Sequence, residues 1–517
     1  MDDVPNASEV RPPSFAHNAE RMIPAPQLRS RGSATQLVVD GAPFLILGGE
    51  LGNSSASSPE SLSAVWPRVV AMGLNTVLLP VYWELIEPEE GHFDFTLLSI
   101  ALAGARAHGL RLVLLWFGSW KNSMSTYVPS WVKTQRSRFP LAERTDGSRM
   151  EILSPFSEEN VRADSRAFAA LMRRLAQIDS RERTVILVQV ENEVGMLEEA
   201  ADRSPVARAS FSAPVPSGLL ARGPAGTWPE VFGERAEEAF MAYHLARYVD
   251  RVASAGKAEH PLPMFVNAAL NRPGRVPGEY PSGGPLPHLF DVWRAGAPAI
   301  DFLSPDIYLP GFTRWCEAYR RPGHPLFIPE IANGPAAASQ VFCAVGQYDA
   351  IGFSPFAIDT MADAAAAALK DSYGLLRELA HHVLDNQGTG RMGGAILDSE
   401  GPASEVRLGG AVLTLRHDYT FEWSGPARET TPWPTSGALV VATGPREYLV
   451  AGSGVIVTFA DEERRRPLGF LQVDEGRFAG THFVPGRRLN GDETHQGRHV
   501  RIPFGKCGLQ RVRLYDY

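Results

Sequence analysis

Two short stretches end β-like runs on carboxylates: Val188-Gln189-Val190-Glu191-Asn192-Glu193 and Phe327-Ile328-Pro329-Glu330. Cleavage of a glycosidic bond needs two carboxyl groups, one to protonate the leaving oxygen and one to attack or to activate water. One glutamate at a strand end carries little weight, since surface glutamates are common. Two of them, on strands facing each other across a barrel, carry much more, and Glu193 with Glu330 forms such a pair.

The elements that must hold this pair can be read from residue 36 onward. β-like runs alternate with helical ones as far as residue 384, the pattern of parallel strands with crossover helices. Residues 36–39 and 44–47 flank Asp40-Gly41 and read as a hairpin with a type I′ turn, whose second arm enters barrel strand one. A helix follows, with Ser58 as cap, Pro59 at its first position and Pro67 as a kink. Further strands are expected at 75–81, 111–117, 184–190, 264–267, 302–307, 326–330 and 350–356. Eight strands alternating with helices are the count of a (β/α)₈ TIM barrel. An open doubly wound sheet is the alternative, but no glycine-rich phosphate loop follows any strand.

Two Pro/Gly-rich stretches, 200–229 and 271–287, follow strands four and five and are expected to wall the active-site mouth. After a helix at about 361–384 the character changes. From residue 390 short β-like runs (411–415, 438–441, 455–459, 499–502, 510–514) read as an all-β sandwich. The expected organisation is an N-terminal extension over 1–35, a catalytic barrel over 36–388 and a smaller sandwich domain over 389–517.

The 517 residues allow a barrel of roughly 250–400 residues plus one smaller module. Hydrophobic residues at 44% and charged residues at 21% are globular values and exclude a disordered chain. A formal net charge of −8 leaves no basic stripe for nucleic acid. No apolar run approaches the roughly 18–20 residues of a membrane span. Residues 1–34 are polar and Pro/Arg-rich, so no signal peptide is expected within them; the compartment stays open between cytoplasm and, had a signal been removed, periplasm or exterior. Cys316, Cys343 and Cys507 are too few and too scattered for a disulfide framework or a zinc site; a single pair stays open as the alternative, and three buried thiols are the expected reading.

The stretch Gln189-Val190-Glu191-Asn192-Glu193-Val194-Gly195 closely resembles the acid/base motif of glycoside hydrolase family 35, the retaining β-galactosidases of the clan A barrels. Gly73-Leu74-Asn75-Thr76-Val77, with Tyr82-Trp83-Glu84-Leu85-Ile86-Glu87-Pro88 through Phe95, resembles the same family's second-strand signature. The resemblance covers roughly residues 36–360. It implies that Glu193 is the acid/base, Glu330 the nucleophile, Asn192 the partner of the sugar 2-hydroxyl, and Tyr308 the tyrosine that orients the nucleophile. Where the family has Gly-Glu-Ile-His-Tyr, this chain has Gly49-Glu50-Leu51-Gly52-Asn53-Ser54. Where it has Arg-Pro-Gly-Pro-Tyr, this chain has Leu115-Trp116-Phe117-Gly118-Ser119-Trp120-Lys121-Asn122. The sequence is similar to a divergent branch with a C-terminal β-domain, associated with xyloglucan side-chain galactose; Tyr280-Pro281-Ser282-Gly283-Gly284-Pro285 also resembles that branch.

Secondary candidates follow from position. Glu50 and Asn53, after strand one, are expected to meet sugar hydroxyls, or else to cap their loop. Tyr82, Trp116 and Trp120 are candidates for an aromatic platform, Asn122 for a contact after strand three, and Asn267 for one at the end of strand five. Glu191 reads as a hydrogen-bonded carboxylate in the mouth, and Asp306 as structural. His244, His381 and His382 lack metal-ligand partners and read as structural. The expected activity is that of a retaining exo-β-galactosidase on oligosaccharides, without metal or cofactor. The rivals are another retaining clan A activity (β-glucosidase, β-mannosidase, α-L-arabinopyranosidase) and a non-catalytic carbohydrate-binding barrel. The C-terminal domain is expected to brace the barrel rather than bind glycan.

Overall fold

The computed structural model describes residues 24–219, 225–463 and 466–516; residues 1–23 of the expected extension lie outside them. The chain enters through a three-stranded antiparallel sheet, Gln27–Arg31, Ala34–Val39 and Ala42–Phe44. Asp40 and Gly41 have φ of 53° and 80°, the left-handed pair that a type I′ turn requires. The first of these strands falls inside the stretch expected to be an extension, so ordered structure starts earlier than residue 36. Pairing of Gln27 with Val38 through Arg31 with Ala34 accounts for it.

Eight parallel strands then close into a barrel: Ile46–Glu50, Thr76–Tyr82, Arg111–Phe117, Val185–Val190, Met264–Ala269, Phe302–Ile307, Phe327–Ile331 and Gly352–Pro355. They read as continuous apolar runs because helices cover one face and the barrel interior fills the other. The hairpin arm expected at 44–47 divides into Ala42–Phe44 and the start of barrel strand one at Ile46. The hairpin ends at Phe44, and the Asn75 side chain stitches the next residues by accepting from Leu47 N and donating to Leu45 O. Glu50 is therefore the last residue of a strand, not part of the following loop.

Ser58 caps helix Pro59–Ala71 through a reciprocal pair with Ser61, and the helix runs on through Pro67. Helix Glu158–Ile178 buries Phe168, Leu171, Met172 and Leu175 and packs along helix Ala236–Glu259. Stretch 200–229 is not a bare loop. It carries helices Pro205–Phe211 and Trp228–Phe232, and Trp228 is buried against Phe240. A short hairpin, Leu141–Glu143 with Arg149–Leu153, was not anticipated by pattern.

After helix Asp363–Asn386 the chain builds two antiparallel sheets. One has six strands, in the order Met392–Leu397, Ser436–Gly444, Glu447–Ser453, Gly508–Tyr515, Gly469–Ala479, His482–Arg488. The other has four: Ala403–Leu408, Ala411–His417, Val455–Asp461, Val500–Ile502. A separate apolar core, including Leu413, Val440, Val450, Val457 and Val512, fills the space between them. The outer face of the six-stranded sheet rests on helix Ala337–Tyr348 of the barrel. A Cβ at Gly346 would come within 2.6 Å of the Gly393 carbonyl oxygen, so only glycine allows this approach. No helix among the described residues is long and apolar enough to cross a membrane.

Candidate active site

Four carboxyl groups converge at the C-terminal ends of the barrel strands: Glu50 on strand one, Glu193 just after strand four, Asp306 on strand six and Glu330 on strand seven. One oxygen each of Glu193, Asp306 and Glu330 lies within 4.8 Å of the others. Among the described residues these are also the only three such groups close enough to hold a metal ion.

Glu330 is 4% exposed. Its Oε1 accepts from the Tyr308 hydroxyl at 2.5 Å, and its Oε2 is buried without a partner. One lone-pair face of the carboxylate is thus pinned and the other left open, as in-line attack requires. Glu193 sits in a left-handed backbone conformation (φ 45°) and its N–H donates to Asn267 Oδ1 at 2.9 Å. Asn267 Nδ2 donates in turn to Asp306 Oδ2 at 2.7 Å. Burial, then the Glu330 charge, push the Glu193 carboxyl up to about 7, against the pull of the Lys121 ammonium. Burial and the same neighbour raise Glu50 and Asp306 well above the usual carboxylate range. A raised carboxyl beside an anchored one is the division between proton donor and nucleophile.

Glu50 is fully buried and neither of its oxygens has a partner among the described residues. A buried carboxyl left in this state is costly until a donor arrives, and sugar hydroxyls are donors. Asn192 is buried; its Oδ1 accepts from Lys121 Nζ at 2.9 Å and its Nδ2 is unpartnered. Asn53 is half-buried and its Oδ1 has no partner.

The expected aromatic platform is not assembled. Trp116 points out of the barrel, where its indole donates to Asp164 at 2.9 Å and its ring packs on Phe168. Tyr82 is enclosed between Tyr127 and Phe117, and its hydroxyl accepts from Ala56 N. Trp120 is fully buried against Tyr248, although its indole N–H lacks a partner. Asn122 is exposed at the tip of a tight turn, with φ of 51° followed by 65° at Ser123. Glu191 turns away from the pair. Its Oε2 accepts from Trp120 N at 2.8 Å, and burial followed by Asp164 raises its pKa well above normal.

Two residues were missed. Lys121 is a buried ammonium 5.0 Å from the centre of the Phe117 ring, and a lysine closing the run Phe117-Gly118-Ser119-Trp120 was the available signal. Asp306 was read as structural, yet it shares a strand face with Tyr308 two residues on, which parity along the strand would have shown.

A cavity of about 370 Å³ opens beside the pair on the Glu193 side. Tyr308, Leu197, Leu270, Arg272 and Tyr280 are among its walls. Of the two stretches expected at the mouth, 271–287 lines this cavity and no described residue of 200–229 does.

Residues 59–215 match the family model Glyco_hydro_42, described as beta-galactosidase, and residues 369–501 match DUF5597, a domain of unknown function. A beta-galactosidase of Xanthomonas manihotis is 34% identical over 87 residues, 16% of this chain and 14% of its own length. The chain thus spans about a seventh of that relative. The solved beta-galactosidase of Bacillus circulans sp. alkalophilus superposes with a TM-score of 0.50 at 14% identity, over 66% of this chain and 57% of that one. That of the psychrophilic Marinomonas ef1 gives 0.49 at 14% identity, over 66% and 61%. The first half of this barrel therefore carries the sequence pattern of the Glyco_hydro_42 beta-galactosidase model, on a fold shared with a solved beta-galactosidase.

Proposed function

We propose that the protein is a retaining exo-β-galactosidase in which Glu193 is the acid/base and Glu330 the nucleophile. The observation that carries this reading is the approach of their carboxyl oxygens to within 4.8 Å at opposed strand ends. Retaining enzymes hold their carboxyls about 5–5.5 Å apart, against about 6.5–9.5 Å where a water must fit between. Protonated Glu193 gives its proton to the glycosidic oxygen while Glu330 Oε2 attacks the anomeric carbon. The glycosyl ester is then released by water, with Glu193 as base. Asn192 and Glu50 hold ring hydroxyls, and Asn267 and Asp306 set the backbone and charge around Glu193.

The finer placement in family 35 is supported by the segment from Gln189 to Gly195, whereas the matching family model is Glyco_hydro_42. The assignment of the two carboxyls does not depend on that choice. Xyloglucan-derived oligosaccharides are the natural substrates we favour, with the cavity beside Glu193 receiving the leaving group.

A 2-deoxy-2-fluoro galactosyl fluoride tests the mechanism. Fluorine slows both steps by destabilising the oxocarbenium-like transition states, while the fluoride leaving group keeps the first accessible. The expected result is a long-lived ester on Glu330, found by peptide mapping. A label on another carboxylate, or the α-anomer as first product, overturns the reading. A panel of nitrophenyl glycosides separates galactose from glucose, mannose and arabinopyranose.

A further inference from the structure

One end of the sandwich carries an aromatic surface that the carboxyl chemistry does not use. The segment between strands Ala411–His417 and Ser436–Gly444 presents Trp423, which at 67% exposure is the most exposed large hydrophobic residue described. Its ring lies 5.2 Å from Phe421 and 5.9 Å from His495. Phe421 is held from behind by the Arg501 guanidinium, 4.9 Å from its ring centre. At the root of the segment, buried Asp418 accepts from Arg501 Nε at 2.5 Å and from the Phe504 backbone N–H at 3.1 Å. An indole left in water forgoes the burial that large aromatic rings normally gain. Here it is also held in place by its neighbours, so little ordering remains to be done when a flat ligand stacks on it.

The segment that carries Trp423 returns to the barrel at its C-terminal end. Ser339 Oγ, in the first turn of helix Ala337–Tyr348, donates to the Thr435 carbonyl at 2.8 Å. That helix follows the strand carrying Glu330, and a helix that follows a barrel strand starts from the mouth end. The C-terminal end of the segment, at Thr435, is therefore anchored to the barrel on the side from which that helix starts.

We propose that this surface binds the neutral polysaccharide backbone from which the cleaved sugar branches, stacking it on Trp423; the identity of the ligand rests on the glycosidase reading above. A single open ring, with exposed Glu422, Arg428 and Glu429 as its neighbours along the segment, is far short of the roughly 800 Å² per partner of a stable protein interface. Two of those three neighbours are acidic, which disfavours an anionic chain. A sugar ring needs only one such platform plus hydrogen-bonding neighbours.

The test is native affinity electrophoresis of the full chain carrying Glu330→Gln, through gels containing soluble xyloglucan, so that no turnover consumes the polymer. Xyloglucan is expected to retard the protein. Trp423→Ala in that background should weaken the affinity about three- to tenfold, the range of a single aromatic contact, and Trp423→Phe should keep most of it. Melting curves of both variants verify folding. Equal retardation with and without the ring, or no retardation at all, overturns the proposal whether or not aryl galactosides are hydrolysed. A shift from dimer to monomer on Trp423→Ala in light scattering overturns it in favour of contact between copies.

Discussion

The Lys121 ammonium donates to Asn192 Oδ1 at 2.9 Å, linking the loop after barrel strand three to the loop after strand four. Lysine can only donate, so it decides which end of the amide it meets. The buried Asn192 Nδ2 donors are left without a partner, available to an acceptor oxygen of the sugar on the proposed reading.

Lys121→Met should lower kcat/KM on an aryl galactoside about 10- to 100-fold, in line with about 1.5–3 kcal/mol for a hydrogen bond to a charged group. It also removes a cation that draws the Glu193 pKa down. The alkaline limb of the pH–rate profile should therefore move to higher pH. An unmoved limb would restrict Lys121 to holding Asn192.

On the proposed mechanism protonated Glu193 is the active form, and burial beside Glu330 pushes its carboxyl up to about 7. Activity on substrates with poor leaving groups should thus fall as pH rises through about 7. Glu193→Ala should abolish that limb, keep far more activity on activated aryl glycosides than on natural ones, and respond to azide, which attacks the glycosyl-enzyme without a base.

Glu191→Ala should behave as a structural lesion. It leaves the buried Trp120 N–H without its acceptor, a cost of about 1–3 kcal/mol that a melting curve should register. Azide should give no recovery. Recovery here and none in Glu193→Ala would exchange the two roles.

Tyr308→Phe releases Oε1 of Glu330 and should reduce kcat about tenfold while changing KM little, a loss of roughly 1.4 kcal/mol from a charge-assisted bond. A change confined to KM would make Tyr308 a substrate contact instead.

Shortening the loop 271–287 should raise KM for oligosaccharides and spare small aryl galactosides, because Arg272, Glu279, Tyr280 and Pro281 of that loop wall the cavity on the Glu193 side. Equal losses on both substrates would count against a leaving-group role.

The alternation of apolar runs made the barrel legible, and strand-end position made Glu193 and Glu330 legible. The aromatic assignments failed on parity. Along Arg111–Phe117, Trp116 shares its face with Leu112 and Leu114 and so meets helix Glu158–Ile178 outside the barrel. Parity itself fails one strand later. Glu191 and Glu193 both have positive φ, 62° and 45°, so side-chain direction there follows a strained turn rather than strand alternation. Motif resemblance separated the two carboxylates where period could not. Stretch 200–229 looked like a loop because Pro and Gly dominate it, yet Ser204 and Thr227 cap two short helices within it.

The apolar cluster of the barrel runs without a break into Leu439, Val441, Leu449, Ala451, Phe478 and Leu509 of the six-stranded sheet. A stop codon near residue 388 would strip this face from the helices it covers. The barrel is thus not a cassette that can be lifted out and grafted elsewhere with its catalysis intact. The two lobes should melt in a single transition, and weakening the sheet should abolish turnover by collapse of the whole chain.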